Sequence, residues 1–245
     1  MLFLLRKIRR KLMEKNKFTT YLLYAIGEIV LVVIGILIAV SINNWNQQLK
    51  NDKRISQALT FLTNELKEDS VQISIQLTRH IGRRNESKQL FDRAKSPDAT
   101  IDTLIYIMTN EFDGYWDKHF AYNTTAYENM ITGGILELLD DSLKIHITET
   151  YQTYERNMVA MNEQNLQYRE PMNDFYSRFP ILSFYRHEDF IKDWRPQDKE
   201  EFHPRAEWLI FVRYFMWNSY INCLEEERLK VNALLSNLRT YCNSN

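Results

Sequence analysis

Five histidines, His80, His119, His146, His187 and His203, are the side chains best suited to hold a metal or move protons near neutral pH. None belongs to an H-E-x-x-H pair, and no Cys-x-x-Cys occurs, so the spacings that bind zinc are missing. His187-Glu188-Asp189 with Asp193 comes nearest to a metal cluster, but neighbouring residues point apart and read more simply as a solvated charge run. Carboxylates cluster at Asp140-Asp141, Glu200-Glu201 and Glu225-Glu226-Glu227. Acid–base work needs carboxylates that converge across a cleft; each of these runs equally suits a helix cap or a charged helix face. No G-x-S-x-G elbow is present, and neither Cys223 nor Cys242 has a basic motif beside it. Only Gly133 and Gly134 are adjacent among six glycines, so no phosphate-cradling loop can be written. No catalytic residue, cofactor or metal ligand is assigned, and a non-enzymatic role is expected.

One carboxyl group stands apart. Glu28 is the only charge in Tyr21–Ile42, YLLYAIGEIVLVVIGILIAVSI, where a carboxyl is costly and marks a functional candidate. At about 100° per residue, Gly35 and Ala39 fall on the same helix stripe as Glu28. Two small residues four apart let a second helix approach closely, and a protonated Glu could hydrogen-bond across that contact. The plainer alternative is that Glu28 lies shallow enough to reach the headgroups.

The element that positions this stripe is a helix of about 33 Å, enough for a hydrocarbon core of roughly 30 Å. Tyr21 and Tyr24 at one end and Trp45 at the other supply interfacial anchors. Ala39-Val40-Ser41 resembles a signal-peptidase site, yet the apolar run far exceeds the usual signal-peptide core, which favours an uncleaved signal-anchor. Residues 1–20 hold seven basic side chains against Glu14 alone, so the N-terminus is expected in the cytoplasm and the remainder outside. Leu5, Ile8 and Leu12 at helical spacing let this segment lie on the inner leaflet; it could equally serve only as an orientation signal. Acids outnumber bases beyond the span, so nucleic acid is not an expected partner.

The run NKFTTYLLYAIGEIVLVVIGILIAVSINNWN resembles the opening of a family of single-pass Bacteroidota membrane proteins catalogued as domain of unknown function 6090. TTAYENMITGGILELLDDSLKIHITETY is similar to that family's second recurrent block, an aromatic helix stopped at glycine before an acid-capped tyrosine helix. The resemblance implies a bacterial envelope location and this topology, and it implies no chemistry.

Beyond the span, six glycines and five prolines in 245 residues argue for long helices. Ile55, Leu59, Leu62 and Leu66 show helical spacing; Asp69 interrupts the series before Ile73, Leu77 and Ile81. Asp98 or Thr100 can cap a short helix to about Phe112, and Asp113-Gly114 reads as a turn. A helix over 123–132 should stop at Gly133-Gly134, and Asp140 or Asp141 should cap another to Arg178. That helix carries Leu143, Ile147, Tyr151, Tyr154, Met158 and Met161 on one stripe, and Pro171 should kink or split it. Residues 180–204 hold three prolines and read as a long loop that could include a turn of helix. A final helix from about Arg205 to Tyr241 carries Trp208, Val212, Phe215, Leu224, Val231, Leu235 and Leu238, apolar positions expected mostly to fill the helical core.

The expected fold is all-α. It comprises a basic cytoplasmic segment at 1–20, a transmembrane helix at 21–42 and an extracytoplasmic antiparallel helical bundle at 43–245. A single pass through the inner membrane with a periplasmic C-terminal domain is expected. The partners expected are the lipid bilayer and either a second copy or another membrane protein. Tyr115, Trp116, Phe184 and Tyr185 flank turns and loops and are the candidate contact surface. Protein interaction or assembly is the leading role. A ligand-sensing domain with a separate signalling partner is the alternative, and a membrane-tethered hydrolase ranks below both. Cys223 and Cys242 would lie about 28 Å apart along one straight helix, so bridging them would require the last helix to fold back.

Overall fold

The structure is a computed structural model that describes residues 18–114, 120–179 and 196–244, with side chains for 22–114, 120–179 and 200–241. Every regular element among the described residues is helical. Helix α1 runs Phe18–Ala94, and α2, Ile101–Tyr106, opens into a π turn, Ile107–Glu111. Helix α3 (Thr125–Thr132) and a 3-10 turn (Leu136–Leu138) precede the long α4 (Asp141–Arg178) and α5 (Pro196–Ser244). The chain is all-α, as its glycine and proline content implies. It divides into two compact units, Met1–Ser56 and Gln57–Asn245.

In the first unit, one helix is long and apolar enough to cross a membrane, and none of its apolar window is buried. Leu23 is 71% exposed and Leu31 74%, so this stretch is not buried in the chain's own core. A continuous apolar cylinder in water forfeits the burial that apolar side chains otherwise gain. The basic segment 1–17 lies outside the described residues.

In the second unit, the buried positions of α1 step by three and four from Leu59 through Leu62, Leu66, Asp69, Ile73 and Gln76 to His80, and again from Ser87 through Leu90 to Ala94. That step is the seam spacing of helices packed side by side. Asp69 therefore does not break the series; it holds a place in it, at 1% exposure. Ile81 is turned outward because the ladder selects His80. Helix α4 repeats the pattern from Leu143 to Phe175, with Met158 exposed and Asn157 buried in the register. Helices α4 and α5 run antiparallel: Asn157 Nδ2 donates to Cys223 O at 3.1 Å, while Arg205 meets Asp174 at 2.7 Å and Lys230 meets Glu149 at 2.8 Å.

At two prolines the chain stays helical, for one reason. Helix α4 is a single element through Pro171, because Tyr168, Met172 and Phe175 around it are buried. Their packing exceeds the roughly 3 kcal/mol cost of an interior proline. Residues 196–204 are helical rather than loop, with Pro196 opening α5 and Pro204 inside it. Proline suits a first helical position, since its missing N–H would have no partner there. Phe202 seals this turn against Phe175 and Phe179, ring centroids 5.6 and 5.1 Å away.

The expected caps are in place. Thr100 accepts from Thr103 N and Asp140 accepts from Leu143 N at 2.9 Å. Gly133 ends α3, and Gly134 takes φ +65° with nothing within 4 Å of where a Cβ would sit. Substituting Gly134 by valine therefore meets backbone strain alone. We expect a loss of about 1–2 kcal/mol in urea unfolding, with the same m-value as the wild type.

Candidate functional site

A set of carboxylates does converge, and it does so inside the helical domain. Glu65 and Asp69 stand one turn apart on α1, and Glu227 faces in from α5; Asp69 is 1% exposed and Glu227 0%. All three grip the segment that leads into α3. Asn123 donates its backbone N–H and its side-chain Nδ2 to Asp69 Oδ1, at 3.2 and 3.0 Å. Ala126 N donates to Glu65 Oε2 at 2.9 Å, which places a carboxylate on the first amides of α3. The Tyr122 hydroxyl donates to Glu227 Oε2.

Tyrosines from α4 and α3 close the site. Tyr154 stacks on Tyr122 at 3.8 Å, and Tyr151 stacks on Tyr127 at 4.2 Å. Tyr154 approaches Asp69 without an aligned hydrogen bond: its hydroxyl, the Tyr151 hydroxyl, Asp69 Oδ2 and Glu227 Oε1 all lack one.

This environment favours neutral acids. Burial pushes the Asp69 carboxyl up to about 6, with the neighbouring Glu65 charge adding to it and the Asn123 donors opposing it. Burial likewise raises Glu227 to about 7, opposed by the Tyr122 donor, with Glu226 and Arg156 as the nearest charges. The phenols of Tyr122, Tyr151 and Tyr154 are raised as well, by burial first and by these acids second. A proton on Asp69 Oδ2 or Glu227 Oε1 converts an unsatisfied acceptor into a donor beside a hydroxyl or amide.

A second cluster lies farther along α1. Arg213, 1% exposed, holds its guanidinium over Trp217 and Tyr168, 4.3 and 4.9 Å from the ring centroids. His80 stacks on Trp217 at 4.9 Å, and Arg83 lies over the same ring at 5.5 Å. Arg83, Arg213 and Trp217 of this group border an open cleft of about 380 Å³.

The residues singled out by sequence are distributed otherwise. Glu28, Gly35 and Ala39 lie exposed on α1, with nothing within 4 Å of Gly35's Cβ position; Tyr24 is half-buried and Trp45 exposed. The side chain of Tyr21, and Tyr115, Trp116, Phe184 and Tyr185, lie outside the described residues, as do His119 and the His187 charge run. His146 pairs with Asn237 at 2.8 Å. Cys223 is free, and because α5 continues to Ser244 the fold-back that a bridge to Cys242 requires is not present. Among the described residues no group of three or more His, Cys, Asp or Glu is placed to hold a metal ion. Of the acidic runs, Glu227 alone is drawn into the interior; the register Leu224, Glu227, Val231 was the available signal, as Leu66, Asp69, Ile73 was for Asp69.

The model of a family of unknown function, DUF6090, matches residues 28–178, more than half of the chain. The protein belongs to this family. The matched span includes Glu65, Asp69 and the Tyr122 and Tyr154 pair, so most of the buried network lies within the family region, while Glu227 lies beyond it. No curated protein and no solved structure matches the chain.

Both acids have folded-state values above the ordinary 3.8 and 4.5. Their contribution to stability is therefore complete below about pH 4 and is lost as pH rises through about 6 and 7. Chemical unfolding should accordingly show the domain gaining a few kcal/mol between pH 8 and pH 5, with Glu227→Gln flattening the upper part of that dependence. A profile that falls over the same interval would contradict the buried-acid assignment.

Proposed function

We propose that this protein is a membrane-anchored assembly module. Residues 21–42 cross the inner membrane, the basic segment stays in the cytoplasm, and the helical domain stands in the periplasm. Its mechanism is positional: the span confines copies to two dimensions, and helix faces in the membrane and in the domain bring them together.

The observation that carries this reading is an exposed aromatic pair on α5. Trp208 and Phe215, seven residues apart, are 57% and 65% exposed, and Leu229, 67% exposed, lies 14 residues further on beyond the polar Asn222. The sequence pattern assigns Trp208 and Phe215 to the core stripe, but the interior is filled by Leu209, Ile210, Arg213, Met216 and Trp217 instead. Large aromatics displaced from the core to one outward stripe suit protein contact, where Trp and Phe are enriched. The occupant we assign is a second copy of the chain. The exposed stripe of Glu28, Gly35 and Ala39 supports self-association on the same chain, since two small faces pack closely only against each other or another small face.

The test is co-purification of untagged with tagged full-length protein from native membranes. Replacing both Trp208 and Phe215 by serine should cut recovery of the untagged copy by about fivefold or more, equivalent to roughly 1 kcal/mol of association. The thermal midpoint should hold, because neither side chain is buried. Unchanged recovery would remove this face from the interface; recovery of a different protein alone would overturn the self-assembly reading.

A further inference from the structure

The cleft beside Trp217 carries an inference independent of assembly. Its volume, about 380 Å³, lies at the lower end of the range for small-molecule pockets, which suits a ligand of amino-acid or dipeptide size. One wall is the face of α1 that carries Arg79, Gly82 and Glu86, and the opposite wall includes Asp113.

Gly82 is the unusual member of that wall. A glycine inside a helix costs about 1 kcal/mol relative to alanine, and two structural reasons for tolerating it are missing. Its φ is not in the left-handed region, and a Cβ there would meet nothing within 4 Å, so no neighbouring group requires the space. What the glycine does is keep open the middle of the cleft wall.

The charges on either side of the gap are unspent. Arg83 pairs with Asp113 at 2.9 Å, so that arginine and that acid answer one another. Arg79 and Glu86 line the cleft, are exposed, and enter no ion pair or hydrogen bond among the described residues. Seven residues apart, they share one face of α1 about 10 Å from each other along the axis, with Gly82 between them. A cation at one end, an anion at the other and open space between form the complement of a molecule that carries both signs.

We propose that this cleft binds a small zwitterion, a free amino acid or short peptide, with its carboxylate on Arg79 and its ammonium on Glu86. Ion pairs at such a half-open site are individually weak. Selectivity then comes from requiring both signs at once, and a dicarboxylate or a diamine would leave one end repelled.

The test is calorimetric titration of the full-length protein in nanodiscs. The probes are L-phenylalanine, glycyl-glycine and 5-aminovalerate, with succinate and 1,5-diaminopentane as single-sign controls. At least one zwitterion should saturate the protein below about 10 mM, and do so about tenfold more tightly than either control. Gly82→Leu should abolish that binding by filling the cleft while leaving the melting temperature unchanged or higher. Arg79→Gln and Glu86→Gln should each weaken it by about tenfold without touching the core. The proposal is overturned if no zwitterion binds, if either control binds as tightly, or if Gly82→Leu or both charge variants bind like the wild type.

Discussion

The helical domain is organised around three buried carboxyl groups, Glu65, Asp69 and Glu227, none of which is ion-paired with a buried cation among the described residues. Glu65, Asp69 and Glu227 reach in from α1 and α5 and hold Tyr122, Asn123 and Ala126, so the segment entering α3 is fixed by side chains of two different helices. Isolated buried carboxylates are costly unless they are hydrogen-bonded or neutral. Here both remedies operate. Donors from the captured segment satisfy one oxygen of each acid, and burial raises Asp69 and Glu227 toward neutrality. Tyr151 and Tyr154 then complete the wall from α4. Removing the segment would expose the acids, and removing the acids would leave the segment's amides without partners, so each stabilises the other.

Three long helices with the same three-four step make this possible. A seam of that kind tolerates a polar side chain wherever a partner is provided, and α1, α4 and α5 each use the allowance: Asp69 and His80, Asn157, then Arg213 and Glu227. At one end the polar seam positions are acids among tyrosines; farther along they are a histidine and an arginine among Trp217, Tyr168 and Tyr220. The second group borders the cleft, the first is sealed. The same framework thus supplies a sealed acidic cluster and an open surface cleft.

Much of the fold was legible in the sequence because glycine, proline and capping residues act locally. The Gly133-Gly134 stop and the Asp140 cap follow from neighbours a few positions away. What was not legible depends on distant partners. Asp69 reads as an interruption and Glu227 as one more surface acid until Asn123 and Tyr122 are placed against them. Trp208 and Phe215 read as core because hydrophobicity alone cannot choose between adjacent helix faces, and the choice falls to Leu209 and Trp217. Pro171 and Pro204 read as breaks because propensity is local, whereas the packing of Tyr168, Phe175 and Phe202 that overrides it is not.

The proposed assembly role places the domain outside the cytoplasm on a membrane-spanning helix. The most direct measurement is labelling of Asp98→Cys, in a chain without Cys223 and Cys242, by a membrane-impermeant maleimide on cells whose outer membrane alone is permeabilised. Asp98 is exposed in the turn after α1, so the reagent reaches it wherever the domain meets solvent. The expected result is full labelling of the intact spheroplasts, with the protein remaining in the membrane fraction after carbonate washing. Labelling only after lysis, or release of the protein by the wash, would contradict a periplasmic domain held by residues 21–42.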